Sequence, residues 1–307
     1  MRFRSQLPMQ VFRGFCMGAA DVVPGVSGGT VALVFGIYAT LVAQIRQGAR
    51  ALGQLVRGRP GGFVEELRKV EWRFLLPLLL GIGVALVSLA SVISHFLEEE
   101  PIRTAAVFFG LVVGSLFSTV HLVHRWDARN VTTAAVVAVA TFLVLGLGSG
   151  QIQDPPLAFV FVGGSIAICA MILPGISGSF LLLMLGLYQF VLDSVDERDL
   201  VVIAVFGTGA VLGLALFSSL LSWALERHEQ PILAGLIGLM FGSLRVLWPW
   251  PNGTGSEEST NGAELALPAG DVWWPIALAL LAGAAIVIVA RLAGASEAVE
   301  HAEVPAR

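Results

Sequence analysis

Long apolar runs follow one another along the chain, at Phe74–Leu97, Thr104–Leu122, Val131–Leu147, Leu200–Leu225, Ile232–Trp248 and Trp273–Ala290, parted by short polar or turn-forming segments. A helix needs about 20 apolar residues to cross a bilayer, so each run predicts one crossing. Two other places read differently. The arms Phe12–Ala20 and Val31–Ile45 enclose DVVPGVSGGT, and the arms Leu157–Leu173 and Phe180–Leu192 enclose PGISGS. These arms are mostly too short to span, and proline with glycine interrupts each pair. Each pair therefore predicts a helical hairpin that enters the membrane and turns back.

The two interrupted segments are copies. Pro24 matches Pro174, Gly25 matches Gly175, Ser27 matches Ser177, Gly28 matches Gly178, Gly36 matches Gly186 and Tyr38 matches Tyr188, all at an offset of 150. Downstream, LGIGVAL (Leu80–Leu86) answers FGTGAVL (Phe206–Leu212) at 126, and FFGLVVGSL (Phe108–Leu116) answers LIGLMFGSL (Leu236–Leu244) at 128. The fall from 150 to 126 assigns 24 extra residues to the Arg46–Arg73 connection of the first copy. The expected organisation is two repeats. Residues 1–150 hold a hairpin at about 12–45, an amphipathic connection at 46–73 and three spans; residues 151–307 hold a hairpin at about 157–192, three spans and a tail.

A hairpin followed by three crossings leaves the second copy upside down, whereas a proline-kinked single span in each copy would leave the two parallel. Basic residues favour the first arrangement, because short cytoplasmic loops are enriched in them. The hairpin arrangement puts fifteen of the 18 Lys and Arg on one side, including Arg2, Arg4, Arg13 and the seven between Arg46 and Arg73. The kinked arrangement splits these groups between faces. The fold class expected is all-α: a polytopic membrane protein with an inverted-topology repeat, each half a re-entrant helical hairpin plus three transmembrane helices. Both termini are expected in the cytoplasm, and the N-terminal segment lacks a small-residue cleavage pattern and reads as retained. Composition agrees, at 56% hydrophobic, 13% charged and a mean hydropathy of +0.83. Cys16 and Cys169 have no metal-ligand spacing and read as small buried hydrophobes; no metal or cofactor is implied. The 46–73 connection suits either helices lying on an anionic leaflet or an ordinary charged loop. Trp72, Trp248, Trp250, Trp273 and Trp274 fall at expected membrane boundaries.

Chemistry concentrates at the breaks. Non-helical backbone at membrane depth is tolerated only where it is buried in protein or lines a polar cavity. Pro24 and Gly25, with Pro174 and Gly175, are read as the hairpin turns; Ser27 and Ser177 are natural N-caps. Ser27, Gly28, Gly29, Thr30, Ser177, Gly178 and Ser179 thus form a candidate cradle for phosphate or carboxylate, with free N–H donors at each helix start. Close packing of small residues is the plainer reading of the same glycines. Two charges break the symmetry. Asp21, with Met171 as its counterpart, is a candidate proton or cation site, and Arg245, aligned with Phe117, is a candidate phosphate ligand or a side chain reaching outward. His121 and His124 read as interfacial.

GAADVVPGVSGGT with WRFLLPLLLGIG, and ILPGISGS with LGLY, resemble the bacterial polyprenyl-phosphate (PopT-type) transporter family over roughly Val11 to Trp250. The resemblance implies a flippase that returns undecaprenyl phosphate from the outer to the inner leaflet of the bacterial inner membrane for cell-envelope synthesis. Its partners would be the polyprenyl-phosphate lipid and the bilayer, with no nucleic acid and no cofactor. A membrane lipid pyrophosphate phosphatase also uses inverted repeats and a PG-x-S hairpin, but with an arginine after the serine and paired intramembrane glutamates. Here glycine follows both serines, and Glu98, Glu99 and Glu100 sit at an outer edge. A small-anion transporter or channel is the other alternative, since a backbone cradle suits free phosphate as well as a headgroup.

Overall fold

A computed structural model describes residues 7–22, 27–147, 152–251 and 265–302, with the side chains of Ser94 and 292–302 excepted. Pro24, Gly25, Arg2, Arg4, Arg307 and the polar segment 252–264 lie outside the described residues. The chain forms α1 (Leu7–Asp21), α2 (Gly28–Val34), α3 (Tyr38–Val56), α4 (Pro60–Arg68), α5 (Trp72–Glu99), α6 (Pro101–Thr119) and α7 (Ala128–Val144). It continues with α8 (Leu157–Ile172), α9 (Gly178–Met184), α10 (Tyr188–Asp196), α11 (Leu200–Ser243) and α12 (Trp273–Ala302). No strand occurs among the described residues.

Four helical stretches are long and apolar enough to cross a membrane: Trp72–Glu99, Pro101–Leu122, Leu200–Ser243 and Trp273–Arg291. The 44-residue α11 contains a break at His228 (φ −139°, ψ 49°), three residues before Pro231, so its two parts match the two separate apolar runs of the sequence. α7 is a 17-residue apolar helix, shorter than the third span expected of the first repeat. The region 46–73 is helical, as the end of α3 and α4. Glu66 joins the two: its backbone carbonyl and its carboxylate both accept from the Gln47 amide, at 2.9 and 2.7 Å. Hydrogen bonds from Lys69 and Gln47 hold the Glu66 carboxyl below its usual range, and the bond to Glu66 raises Lys69.

The expected hairpin arms are corrected by a second break. Val31–Ile45 and Phe180–Leu192 were each to be one arm, but Gly36 (φ 68°) and Gly186 (φ 69°) take the left-handed conformation that ends a helix. The same terminal bonds close both: Ile37 N–H to Ala32 O at 3.0 Å, and Leu187 N–H to Leu182 O at 2.9 Å. α9 and α10 consequently meet at 108°.

Glycines set the long-helix packing. Gly81 of α5 lies against the Val11 carbonyl of α1, and Gly14 of α1 against that of Leu78. Gly209 of α11 meets the Phe161 carbonyl of α8, and Gly164 that of Phe206, which is the same contact set shifted by 150 in one helix and 128 in the other. A methyl group on Gly83 or Gly207, which the 126 offset matches to Gly209 and Gly81 respectively, would meet nothing within 4 Å. The packing register is therefore 128 throughout, two residues from the sequence alignment, and the first connection is longer by 22 rather than 24 residues. Gly110 and Gly114 of α6 sit on Ala279 and Gly283 of α12, and Gly238 and Gly242 of α11 sit on Ala134 and Ala138 of α7. Small residues four apart let helix backbones approach closely. In each pair the contacts advance together, so the partners run parallel. The third long helix of each half thus packs against the other half, and one apolar core containing Val42, Leu78, Val112, Met240 and Leu247 joins them.

Candidate functional site

α2 begins where extended backbone at Ser27 (φ −133°, ψ 137°) gives way to helix. The Ser27 hydroxyl accepts from Gly29 N–H at 3.0 Å and donates to the Met171 carbonyl at the end of α8 at 3.1 Å. Gly28 N–H donates to Asp21 Oδ1 at 2.6 Å. Thr30, 2% exposed, accepts from Gly175 N–H at 2.8 Å through its hydroxyl. A methyl group on Gly29 would lie 2.5 Å from the Ile172 carbonyl. The two breaks, 150 residues apart in sequence, therefore touch in space through Ser27, Gly29 and Thr30 on one side and Met171, Ile172 and Gly175 on the other.

The second break is built on Gly175 in the left-handed region (φ 85°), with Pro174 fully buried beside it. A side chain on Gly175 would come within 2.7 Å of Ser243 Oγ and 2.8 Å of Met240 Cα. Ser177 has the extended conformation of an N-cap but gives α9 no side-chain cap; its hydroxyl pairs with that of Ser179 at 2.7 Å. Gly178 packs on Met171 as Gly28 packs on Asp21. Position and contact are shared by the two breaks, while charge is not. At the first break the Gly28 and Gly29 donors, expected to be free at the helix start, are taken by Asp21 and Ser27.

Arg245 follows α11 and is half-buried. Its guanidinium lies 4.7 Å from the Phe142 ring centroid and crowds Gly146, and its buried Nε has no hydrogen-bond partner. Among the described residues its contacts are with Phe142 of α7 and with Gly146 just after it; Ser243, two residues earlier, is the link to Gly175. Sequence reading passed over Ser243, although its signal was in view, since GSL ends both FFGLVVGSL and LIGLMFGSL. Ser243 Oγ donates to Met240 O at 2.8 Å and Ser115 Oγ to Leu111 O at 2.7 Å, the ordinary way for a serine to sit in an apolar helix.

Several contacts join the ends of the helices. Arg46 of α3 bonds Glu226 at 2.6 Å and Ser222 at 2.9 Å, both on α11. The His124 ring lies 3.1 Å from the Gln230 amide. At the opposite end of the long helices, Arg103 reaches Glu100 at 2.9 Å and Asp271 at 3.7 Å. Trp273 and Trp274 are exposed, whereas Trp250 is buried against Trp248. Cys16 and Cys169 are free and partly buried.

A family model described as VCA0040-like, undecaprenyl phosphate translocase-like, matches residues 17–265. The polyprenyl-phosphate transporter of Vibrio cholerae serotype O1 is 37% identical over 257 residues, covering 83% of this chain and 82% of that protein. The polyprenyl-phosphate transporter of Staphylococcus aureus is 28% identical over 263 residues, covering 78% and 86%. No solved structure matches significantly.

Proposed function

The chain belongs to the VCA0040-like, undecaprenyl phosphate translocase-like family, and from that premise we propose that it carries polyprenyl phosphate between membrane leaflets. The direction is outer to inner across a bacterial inner membrane, which restores the carrier lipid to envelope synthesis. No covalent bond changes, so the chain is not an enzyme. The observation that carries this reading is the meeting of the two helix breaks, which gathers the hydroxyls of Thr30, Ser177, Ser179 and Ser243 around non-helical backbone. Such backbone belongs in protein or along a polar path, not against lipid tails.

The headgroup phosphate is held at the second break by Ser177, Gly178 and Ser179, where Met171 stands in place of a carboxylate. Arg245 is the cation that receives it: an arginine stacked on an aromatic ring presents a fixed fork of donors to phosphate. Asp21 fills the first break with the protein's own anion, so a phosphate approaching Gly28, Gly29 or Thr30 has to displace or neutralise it. That exchange couples transport to Asp21 protonation. The prenyl tail remains in the bilayer.

Inverted re-entrant repeats with cytoplasmic termini complete the reading. In support, α1 and α5 run parallel from a shared cavity at their N-terminal ends, which requires the chain to return to its starting side between them. The bodies that rock against each other are then α1, α2, α5, α6 and α12 on one side and α7, α8, α9 and α11 on the other, with α7 and α12 exchanged relative to the sequence repeats.

The test is inversion of labelled undecaprenyl phosphate in proteoliposomes. Wild-type protein should exceed empty vesicles, with Arg245→Ala and the Ser177→Ala/Ser179→Ala pair much slower. Wild-type inversion no faster than in empty vesicles would sink the proposal, and phosphate release from undecaprenyl pyrophosphate would move the chain to the enzyme class.

A further inference from the structure

The N-terminal ends of α1 and α5 flank a cavity of about 390 Å³ lined by Leu7 and Gln10 of α1 and by residues 70–74. It lies apart from the helix breaks and takes no part in the transport reading. Its size falls in the range of about 300–1,000 Å³ typical of small-molecule sites. Gln10 is 7% exposed, and its buried Oε1 has no hydrogen-bond partner. Glu71 is fixed by its backbone N–H, which donates to Gln44 Oε1 at 2.9 Å, while its carboxylate has no ion-pair partner among the described residues. Trp72 is held by a bond from Nε1 to the Leu67 carbonyl at 3.0 Å and keeps 39% of its surface exposed.

An unpaired amide oxygen, a carboxylate and an aromatic ring all favour a cation, and the two oxygens favour one that carries N–H donors. One helical stripe onward from Trp72, Leu76, Leu79 and Leu80 are 56%, 49% and 60% exposed, an apolar track leading from the cavity along α5. We infer that this cavity is a binding site for the headgroup of an ethanolamine phospholipid, with its ammonium between Gln10, Glu71 and Trp72 and its acyl chains along α5. A simple anionic lipid brings no ammonium to meet the Gln10 and Glu71 oxygens, and a quaternary choline has no N–H to give Gln10.

The test is lipid retention by the purified full-length chain in native mass spectrometry, using ethanolamine, choline and glycerol phospholipids with identical acyl chains. One ethanolamine lipid should be retained about tenfold more strongly than the other two. Glu71→Gln and Trp72→Leu should each bring that preference close to parity, with melting curves confirming that both variants fold, while Glu65→Gln on α4 should leave it unchanged. Equal retention of the glycerol lipid would overturn the inference. So would an undiminished ethanolamine preference in folded Glu71→Gln or folded Trp72→Leu protein.

Discussion

Thr30→Val probes the contact that joins the two breaks. Valine keeps the shape of threonine but removes the hydroxyl that accepts from Gly175 N–H at 2.8 Å. Thr30 is 2% exposed and Gly175 is buried, so neither water nor lipid supplies a substitute acceptor. Leaving a buried donor unpaired costs about 1–3 kcal/mol, more than the roughly 1 kcal/mol net worth of an average hydrogen bond. At about 2–4 °C per kcal/mol for a chain of this size, melting of the detergent-purified protein should fall by roughly 2–12 °C. Thr30→Ser retains the hydroxyl and should recover most of the loss. Thr132→Val supplies the control: Thr132 donates to the Ala128 carbonyl at 2.6 Å on an exposed face of α7, where no buried partner is orphaned. A Thr30→Val melting point equal to wild type, or a drop matched by Thr132→Val, would show that the breaks are not held together through this bond.

The remaining expectations concern packing, the helix-end contact and Asp21. Gly81→Ala and Gly209→Ala should each destabilise by about 1–3 kcal/mol through overpacking against α1 and α8, while Gly83→Ala and Gly207→Ala should be neutral or stabilising by up to about 1 kcal/mol; paired melting curves decide between the 128 and 126 registers. Arg46→Ala and Glu226→Ala should each cost at most about 1 kcal/mol, since Glu226 is 64% exposed, and a double-mutant cycle should give a coupling of similar size. Asp21→Asn keeps an oxygen for Gly28 N–H and should melt within about 1 kcal/mol of wild type, whereas Asp21→Ala leaves that donor unpaired and should lose about 1–3 kcal/mol; equal melting of the two variants would contradict the bond.

What the sequence disclosed depended on whether a feature was periodic or three-dimensional. Helix positions were legible because apolar runs have sharp ends: Phe74–Leu97 became α5 and Trp273–Ala290 the membrane-length part of α12. The breaks at Ser27 and Ser177 were legible because proline and glycine interrupt helices whatever surrounds them. The breaks at Gly36 and Gly186 were missed, although both glycines had been matched, because a lone glycine inside an apolar run is compatible with helix until its φ is known. The 126 register was wrong because LGIGVAL and FGTGAVL align best on glycines, while packing selects only the glycines that face a neighbouring helix. The meeting of Thr30 with Gly175 had no sequence signal, since hydrogen bonds between segments 145 residues apart follow from the packing of α2 against α8. Asp21 stood out in the sequence as an asymmetric charge, but that its partner is the backbone of its own break could be read only from coordinates.

The exchange of α7 and α12 constrains how such a chain can move. If the repeats were independent bundles, rocking would separate them along the sequence boundary near residue 150. Here that boundary would have to pull α7 from α11 and α12 from α6, helix pairs whose glycines admit backbone at contacts too close for any side chain. Contacts of that kind change in an all-or-none way. Between the two exchanged bodies the apolar core is shared and Gly29 lies close to the Ile172 carbonyl, and three polar ties cross as well: Ser27 to Met171, Thr30 to Gly175, and Arg46, on the bridging helix α3, to Glu226. Single hydrogen bonds of this kind, each worth about 1 kcal/mol, can be remade as a headgroup passes. The proposed substrate site therefore lies on the seam between those bodies, and a phosphate that displaces Asp21 from Gly28 would disturb the break that carries two of those ties.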